Sequence, residues 1–244
     1  MPRIVTYNAH SCVGVDGRLD VGRVAGVLAA LEPDIVALQE LDVGRARSSG
    51  VDQAYEIAQH LDMACHFNAA VQVEEERYGD AILTSYPERL IKAGRLPGLN
   101  PSLRLEPRGA LWIAVDIDGV EVQVINTHLG LVPREQQRQA TALAGLEWLR
   151  RADCTAPTIL LGDFNATGAS VVYRTLTARL CDARLISRRR RATPTFPSRL
   201  PLLRLDHMFV SHGVRVLDMD APFTPATRLA SDHLPLVMDF ALGA

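Results

Sequence analysis

Leu160-Leu161-Gly162-Asp163-Phe164-Asn165 is an apolar run that stops abruptly in a glycine, a carboxylate and a carboxamide. Thr158 to Leu161 reads as a short buried strand, and Gly162 as the point where the backbone turns. Positions i and i+2 on an extended segment point the same way, so Asp163 and Asn165 project together from the strand end. Taken alone, such an Asp is a turn former or a helix cap.

The same grammar recurs elsewhere. Apolar β-like runs end in acidic, amide or histidine side chains at Ile4-Val5-Thr6-Tyr7-Asn8, at Ile35-Val36-Ala37-Leu38-Gln39-Glu40 and at Val122-Gln123-Val124-Ile125-Asn126-Thr127-His128. Leu205-Asp206-His207 opens another run, and Ser231-Asp232-His233-Leu234-Pro235 precedes the last one. In an α/β protein strand ends converge on one rim, so these side chains can meet in one cleft. Asp, Glu, Asn and His without a Ser or Cys nucleophile motif form the donor set of an oxygen-coordinated divalent metal.

Strand and helix signals alternate along the chain. Arg3 to Tyr7, Ile35 to Leu38, Ala81 to Thr84, Ile91 to Arg95, Thr158 to Leu161, Asp206 to Val210, Val214 to Leu217 and Leu234 to Phe240 read as strands. Leu111 to Ile117 and Val120 to Asn126 flank Asp118-Gly119, a hairpin signal that makes part of the sheet antiparallel. Asp20 caps a helix ended by Pro33, a second helix covers Asp52 to Leu61, and a third lies near Val171 to Leu180. Pro133 starts a long helix expected to reach about Arg151, with Ala140, Leu143, Leu146 and Leu149 inward.

The site pieces run from residue 8 to residue 233, so a single domain over residues 1–244 is expected. With 48% hydrophobic residues the chain can bury a sizeable core. A net charge of −2 offers no global attraction for nucleic acid or an anionic membrane. Cys12, Cys65, Cys154 and Cys181 lack metal-ligand spacing and read as free thiols. With no signal-peptide pattern after Met1-Pro2-Arg3 and no long apolar segment, a cytoplasmic protein without stable membrane insertion is the default expectation.

In their order, Asn8, Gln39-Glu40, Asn126-Thr127-His128-Leu129, Gly162-Asp163-Phe164-Asn165, Asp206 and Ser231-Asp232-His233 resemble the endonuclease/exonuclease/phosphatase superfamily, the DNase I-like metal-dependent phosphoesterases. Asp16-Gly17-Arg18, Pro107-Arg108-Gly109-Ala110 and Thr195-Phe196-Pro197 are similar to segments of its small bacterial members. The resemblance implies a four-layer α/β (α+β) sandwich of two packed mixed sheets flanked by helices, each half of the chain supplying one sheet.

It also implies roles. Glu40 is the principal metal-binding carboxylate, with Asn8 beside it and Asp232 near the ion, Mg²⁺ with Mn²⁺ as a substitute. Asp163 orients and deprotonates the attacking water, Asn165 donates to a phosphoryl oxygen, and His128 contacts the phosphate or the leaving oxygen. Asp206 and His233 form a carboxylate–histidine pair. His10, Arg108 and Asn126 are substrate-binding candidates, Arg108 being either a surface arginine or a phosphate clamp. His207 is assigned a structural place. Asp80 stands where many relatives carry an amide, and either adds charge to the metal site or is a turn residue.

The reaction so implied is Mg²⁺-dependent hydrolysis of a phosphate ester by activated water. A phosphodiester of a small or lipid-linked substrate is favoured, and no obligate protein partner is evident. A nuclease is the alternative, for which the positive feature is Arg188-Arg189-Arg190-Arg191, expected near the site rim. A phosphate-binding module without catalysis is the remote one.

Overall fold

A computed structural model describes residues 1–152, 154, 157–188 and 193–243. Two mixed six-stranded sheets pack face to face, with helices on their outer surfaces. The strands are β1 (Arg3–Asn8), β2 (Ile35–Val43), β3 (Ala64–Val73), β4 (Glu76–Thr84), β5 (Glu88–Arg95), β6 (Gly109–Ile117), β7 (Val120–His128), β8 (Thr158–Asp163), β9 (Cys181–Asp182), β10 (Asp206–Val210), β11 (Val214–Asp220) and β12 (Leu236–Leu242). One sheet runs β11-β12-β1-β2-β4-β3 and the other β5-β6-β7-β8-β10-β9.

The halves of the chain therefore do not each make one sheet. The last two strands return to the first sheet because β12 pairs antiparallel with β1, Met238 opposite Ile4. Alternation in β12 turns Leu236, Met238 and Phe240 into the core between the sheets, where Ile4 and Ile35 meet Ile113 and Leu161. That return brings Ser231, Asp232 and His233 back beside the end of β1.

Helices α1 (Val21–Ala29) and α2 (Gln53–Leu61) cover the outer face of the first sheet. Asp20 caps α1 as expected by accepting from the Arg23 amide, and Asp52, expected as the first residue of α2, instead caps it by accepting from the Tyr55 amide. Helix α1 ends at Ala29, before Pro33 is reached. Helices α3 (Pro133–Leu143) and α4 (Val171–Thr177) cover the second sheet, followed by α5 (Ala183–Ile186) and α6 (Pro225–Ala230). Helix α3 stops at Leu143, short of Arg151. At about 100° per residue, a continued helix would turn Glu147 inward with Leu143 and Trp148 outward. The chain instead breaks near Gly145, buries Trp148 to 2% exposure and leaves Leu146 67% exposed.

Strand β3 carries no clean alternation in sequence and is fixed by its pairing with β4. Among the described residues no helix is long and apolar enough to cross a membrane. None of the four cysteines is joined in a disulfide. Arg188 is exposed, while Arg189 to Arg191 lie outside the described residues.

Directly beneath the strand ends, two amides join the sheets. Gln39 Nε2 donates to Asn126 Oδ1 at 2.7 Å and to Thr6 Oγ1 at 3.0 Å. Asn126 Nδ2 in turn donates to the carbonyls of Leu38 at 2.8 Å and Ala81 at 2.9 Å. Asn126 is wholly buried and every bond it makes is internal. Its place among the substrate-binding residues is corrected accordingly: it ties one sheet to the other. Asn126→Leu takes one hydrogen bond from each of three buried polar groups, the Gln39 amide and the Leu38 and Ala81 carbonyls, and should lower unfolding free energy by about 1–3 kcal/mol. Urea or guanidinium titration measures this, and a loss below about 0.5 kcal/mol, the size of an ordinary surface change, would show that the bridge is dispensable.

Candidate active site

Register assembles the site. Strands β1 and β2 run parallel with Asn8 opposite Gln39, so Asn8 and Glu40 emerge together. Strands β7 and β8 run parallel with His128 opposite Asp163, while antiparallel β10 sets Asp206 opposite Asp163. Gly162 is obligatory here: at φ 141° an added Cβ would lie 1.9 Å from the Thr127 carbonyl oxygen. Glu40 sits on a bulge in β2 at φ 58°, which re-aims its carboxylate out of the ladder.

Asn8 links the two sides of the cleft. Its Nδ2 donates to Glu40 Oε1 at 2.9 Å and to Asp163 Oδ2 at 3.0 Å. Asp163 Oδ1 accepts from the Asn165 amide at 2.8 Å. Ser231 Oγ donates to the Asn8 carbonyl at 2.7 Å and so joins the last loop to β1.

Arg108 determines the state of His128. A guanidinium only donates, so its Nη1, 2.9 Å from His128 Nδ1, requires that nitrogen to accept and places the ring proton on Nε2. Burial, with Arg108 and His233 beside it, holds His128 well below the ordinary histidine pKa and therefore neutral. Nε2–H faces Asp163 Oδ2 at 3.6 Å and Glu40 Oε1 at 3.8 Å. Asn165 Nδ2, which donates to the Leu129 carbonyl at 3.0 Å, lies 3.1 Å from the same Nε2. The His128 and Asn165 side-chain nitrogens thus lie side by side at the Asp163 carboxylate. Arg108 is only 9% exposed, so of its two sequence readings the surface arginine is set aside: it lines the cleft and fixes His128.

His233 Nδ1 pairs with Asp206 Oδ2 at 2.8 Å, and the same oxygen accepts from Thr195 Oγ1 at 2.5 Å. His233 Nε2 faces Asp163 Oδ2 at 3.6 Å. Burial alone would lower the His233 pKa, but the Asp206 carboxylate, helped by Asp163 and Asp232, raises it to about 10. Burial and the Asp206 charge push Asp163 up to about 6 against the pull of His233 and the bonds from Asn8 and Asn165.

Asp163, Asp206 and His233 can bring three ligand atoms within 4.8 Å of one another. An imidazolium has no lone pair for a metal, so a His233 held protonated argues against the ion sitting in that trio. Glu40 and Asn8 offer oxygen donors next to Asp163, which fits a hard cation. A buried Asp206 Oδ1, without a hydrogen-bond partner among the described residues, adds to the negative charge nearby.

His10 and Asp232 occupy the rim. His10 Nδ1 donates to the Val13 carbonyl at 3.1 Å and lies 3.9 Å from Asp232 Oδ1, which Ser231 also approaches. His207 is structural: it bonds the Ala166 carbonyl at 2.8 Å and stacks on Phe209, and burial lowers its pKa to about 4. Asp80 is a residue of β4 facing the Glu40 bulge, which removes the turn reading. Burial pushes its carboxyl well above the usual range, opposed by Arg108 and reinforced by Glu40.

Sequence reasoning assigned no role to Thr195, Ser231 and Arg47. Thr195 and Ser231 stand inside segments already singled out, but their hydroxyl bonds depend on loops that only the fold brings together. Arg47 binds the buried Asp42 through Nε and Nη2, both at 2.7 Å, and reaches Ser11 Oγ at 2.9 Å. No motif marks it.

Known proteins resemble this chain in sequence and in fold. The uncharacterized protein YbhP of Escherichia coli K12 is 29% identical over 170 residues, 69% of this chain and 64% of YbhP, so the chain spans less than two thirds of that relative. An endonuclease/exonuclease/phosphatase from Beutenbergia cavernae superposes with a TM-score of 0.80 at 24% identity, over 100% of this chain and 72% of that one. A mannosyl-6-phosphatase of Bacteroides thetaiotaomicron does so with a TM-score of 0.77 at 18% identity, over 99% of this chain and 100% of that one. Residues 5–233 match the model of the Endonuclease/Exonuclease/phosphatase family, and the chain belongs to that family.

Proposed function

We propose that the protein hydrolyses a phosphate ester by direct attack of water, with Mg²⁺ as the ion and Mn²⁺ as a substitute. The observation that carries this reading is the convergence of His128 Nε2–H and Asn165 Nδ2–H beside the Asp163 carboxylate, a cradle for a phosphoryl oxygen. Hydrolases acting on phosphoester bonds populate the family, which is generally metal-dependent.

Asp163 takes the proton of the attacking water as the new P–O bond forms. Asn165 and His128 donate to phosphoryl oxygens, and the His233 imidazolium, held by Asp206, offsets the charge that builds up. Glu40 and Asn8 would hold the cation, with Asp232 at the rim. When bound, the ion supplies positive charge to the phosphoryl and leaving oxygens. The ester P–O bond breaks and the departing oxygen takes its proton from solvent.

Chelation should abolish activity, and Mg²⁺ or Mn²⁺ should restore it. Glu40→Gln should raise the metal concentration needed, whereas Asp163→Asn should lower kcat by roughly 10²- to 10⁴-fold with metal affinity little changed. Metal titrations of both variants check this; activity that survives thorough chelation would overturn the metal-dependent reading.

The rate should depend on pH through two groups. Asp163 acts ionised, so kcat/KM should rise as pH passes about 6. His233 acts protonated, so the rate should fall as pH approaches about 10. Asp206→Asn removes the main charge that raises the histidine, and the falling limb should move to lower pH. A falling limb unmoved in that variant would dissociate Asp206 from His233.

A further inference from the structure

The segment that brings Thr195 to Asp206 continues into a hairpin that leaves apolar side chains in water. Phe196 pairs with Leu203. The Leu202 and Leu203 amides both donate to the Phe196 carbonyl, at 2.9 and 2.8 Å, and the Leu200 amide donates to the Pro197 carbonyl at 3.0 Å. Ser198, wholly buried, ties the hairpin to the last loop: its amide donates to the Asp232 carbonyl at 2.7 Å and its Oγ to the Ser231 carbonyl at 2.6 Å. A turn bonded this fully holds its shape, yet Leu200 is 64% and Leu202 71% exposed, and nearby Phe223 is 53% exposed. Glycine or small polar residues are the ordinary occupants of such a tip, and apolar ones grouped there mark a contact surface.

The charge around this tip has one sign. No acidic residue occurs between Asp182 and Asp206, or between Asp220 and Asp232, the two stretches that carry the hairpin and Phe223. Arg199 turns its guanidinium back to the Val15 carbonyl at 3.0 Å. That of Arg228 lies over Phe223, 4.8 Å from the ring centroid, and approaches the Arg199 carbonyl at 3.5 Å. Among the described residues neither arginine pairs with an acid, whereas Arg204 is matched by Asp182 at 2.6 Å. Asp232, in the loop that Ser198 joins, faces His10 instead, at 3.9 Å. The cations therefore stand at the base of the hairpin and the leucines at its end, the order of phosphate over hydrocarbon met on approaching a bilayer. The net charge of −2 conceals this local excess.

We propose that this hairpin docks the protein reversibly on an anionic membrane surface, with Leu200 and Leu202 entering the boundary of the acyl chains and Arg199 and Arg228 meeting the lipid phosphates. A short apolar tip with two cations makes a weak attachment, far from that of a spanning helix. A polynucleotide would engage the arginines and leave the leucines in water. A second copy using the same patch would set arginine against arginine across a two-fold axis. A protein with an apolar pocket ringed by acids is the competing occupant, and vesicles made of lipid alone separate the two. The proposal stands apart from the hydrolytic reading, since none of these residues belongs to the reacting groups.

Sedimentation of the full chain with vesicles tests this. Partition onto vesicles of equal parts phosphatidylcholine and phosphatidylglycerol should exceed that onto phosphatidylcholine alone by about tenfold or more at low salt, and should weaken as salt is added. Leu200→Ser combined with Leu202→Ser should lower the anionic partition by about tenfold. Arg199→Ser combined with Arg228→Ser should lower it by about 20-fold, at about fivefold per arginine near the surface. Both double variants change exposed side chains and should unfold at the midpoint of the unaltered protein. Leu202→Trp supplies a second readout: Trp112 and Trp148 are buried, so the added indole should report by a blue shift of emission on anionic vesicles. No partition of the unaltered protein onto anionic vesicles at low salt overturns the proposal in favour of a protein occupant. A partition untouched by the leucine changes, or an indole that stays in water on the bound protein, overturns it by reducing the attachment to charge alone.

Discussion

Two amides, Gln39 and Asn126, hold the sheets together at the depth where their strands end, and the positions of the reacting groups follow from that bond. Gln39 immediately precedes Glu40, and Asn126 stands two residues before His128. Any shift of one sheet against the other moves Glu40 relative to His128, and a 1 Å displacement at such a site is costly. A hydrophobic pair could fill the same space, but it would not specify a register. Amides with carbonyls as partners do, because their bonds are directional and their loss leaves buried groups unsatisfied.

Above the bridge, the site concentrates more negative charge than its cations balance. Asp163 and Asp206 are opposite one another across a strand pair, and both are buried. His233 is drawn into the charged state between them, and Asp163 is left with a carboxyl easier to protonate than usual. The same geometry that raises this cost matches the proposed chemistry: a base poised near neutrality, a fixed imidazolium and room for an added cation. Arg108 acts on the opposite wall by denying His128 a proton on Nδ1, so that its single N–H points inward.

Much of the layout was legible in sequence because strand ends obey a short-range rule. Apolar runs closing in Asn8, Glu40, His128 and Asp163 marked the rim, and Gly162 marked the turn at the strand end, where the structure adds a backbone approach that tolerates no Cβ. What was not legible depends on distant partners. Asn126 has the same local signature as its neighbours, yet its strand position turns it into the core. The end of α3 was overrun because apolar spacing hides the preference of Trp148 for burial over Leu146. The return of β12 to the first sheet, and with it the seating of His233, follows from long-range pairing that no window of residues contains.

The central claim is that His128 is a neutral ring whose Nε2–H is aimed at a phosphoryl oxygen. Nitrogen NMR of the His128 imidazole tests it most directly, read across about pH 5 to 8 where an ordinary histidine changes charge, with and without orthophosphate in the presence of Mg²⁺. The account predicts a neutral Nε2–H tautomer throughout that range and a shift of Nε2 when phosphate is added. An imidazolium, an Nδ1–H tautomer, or a ring indifferent to saturating phosphate would contradict it.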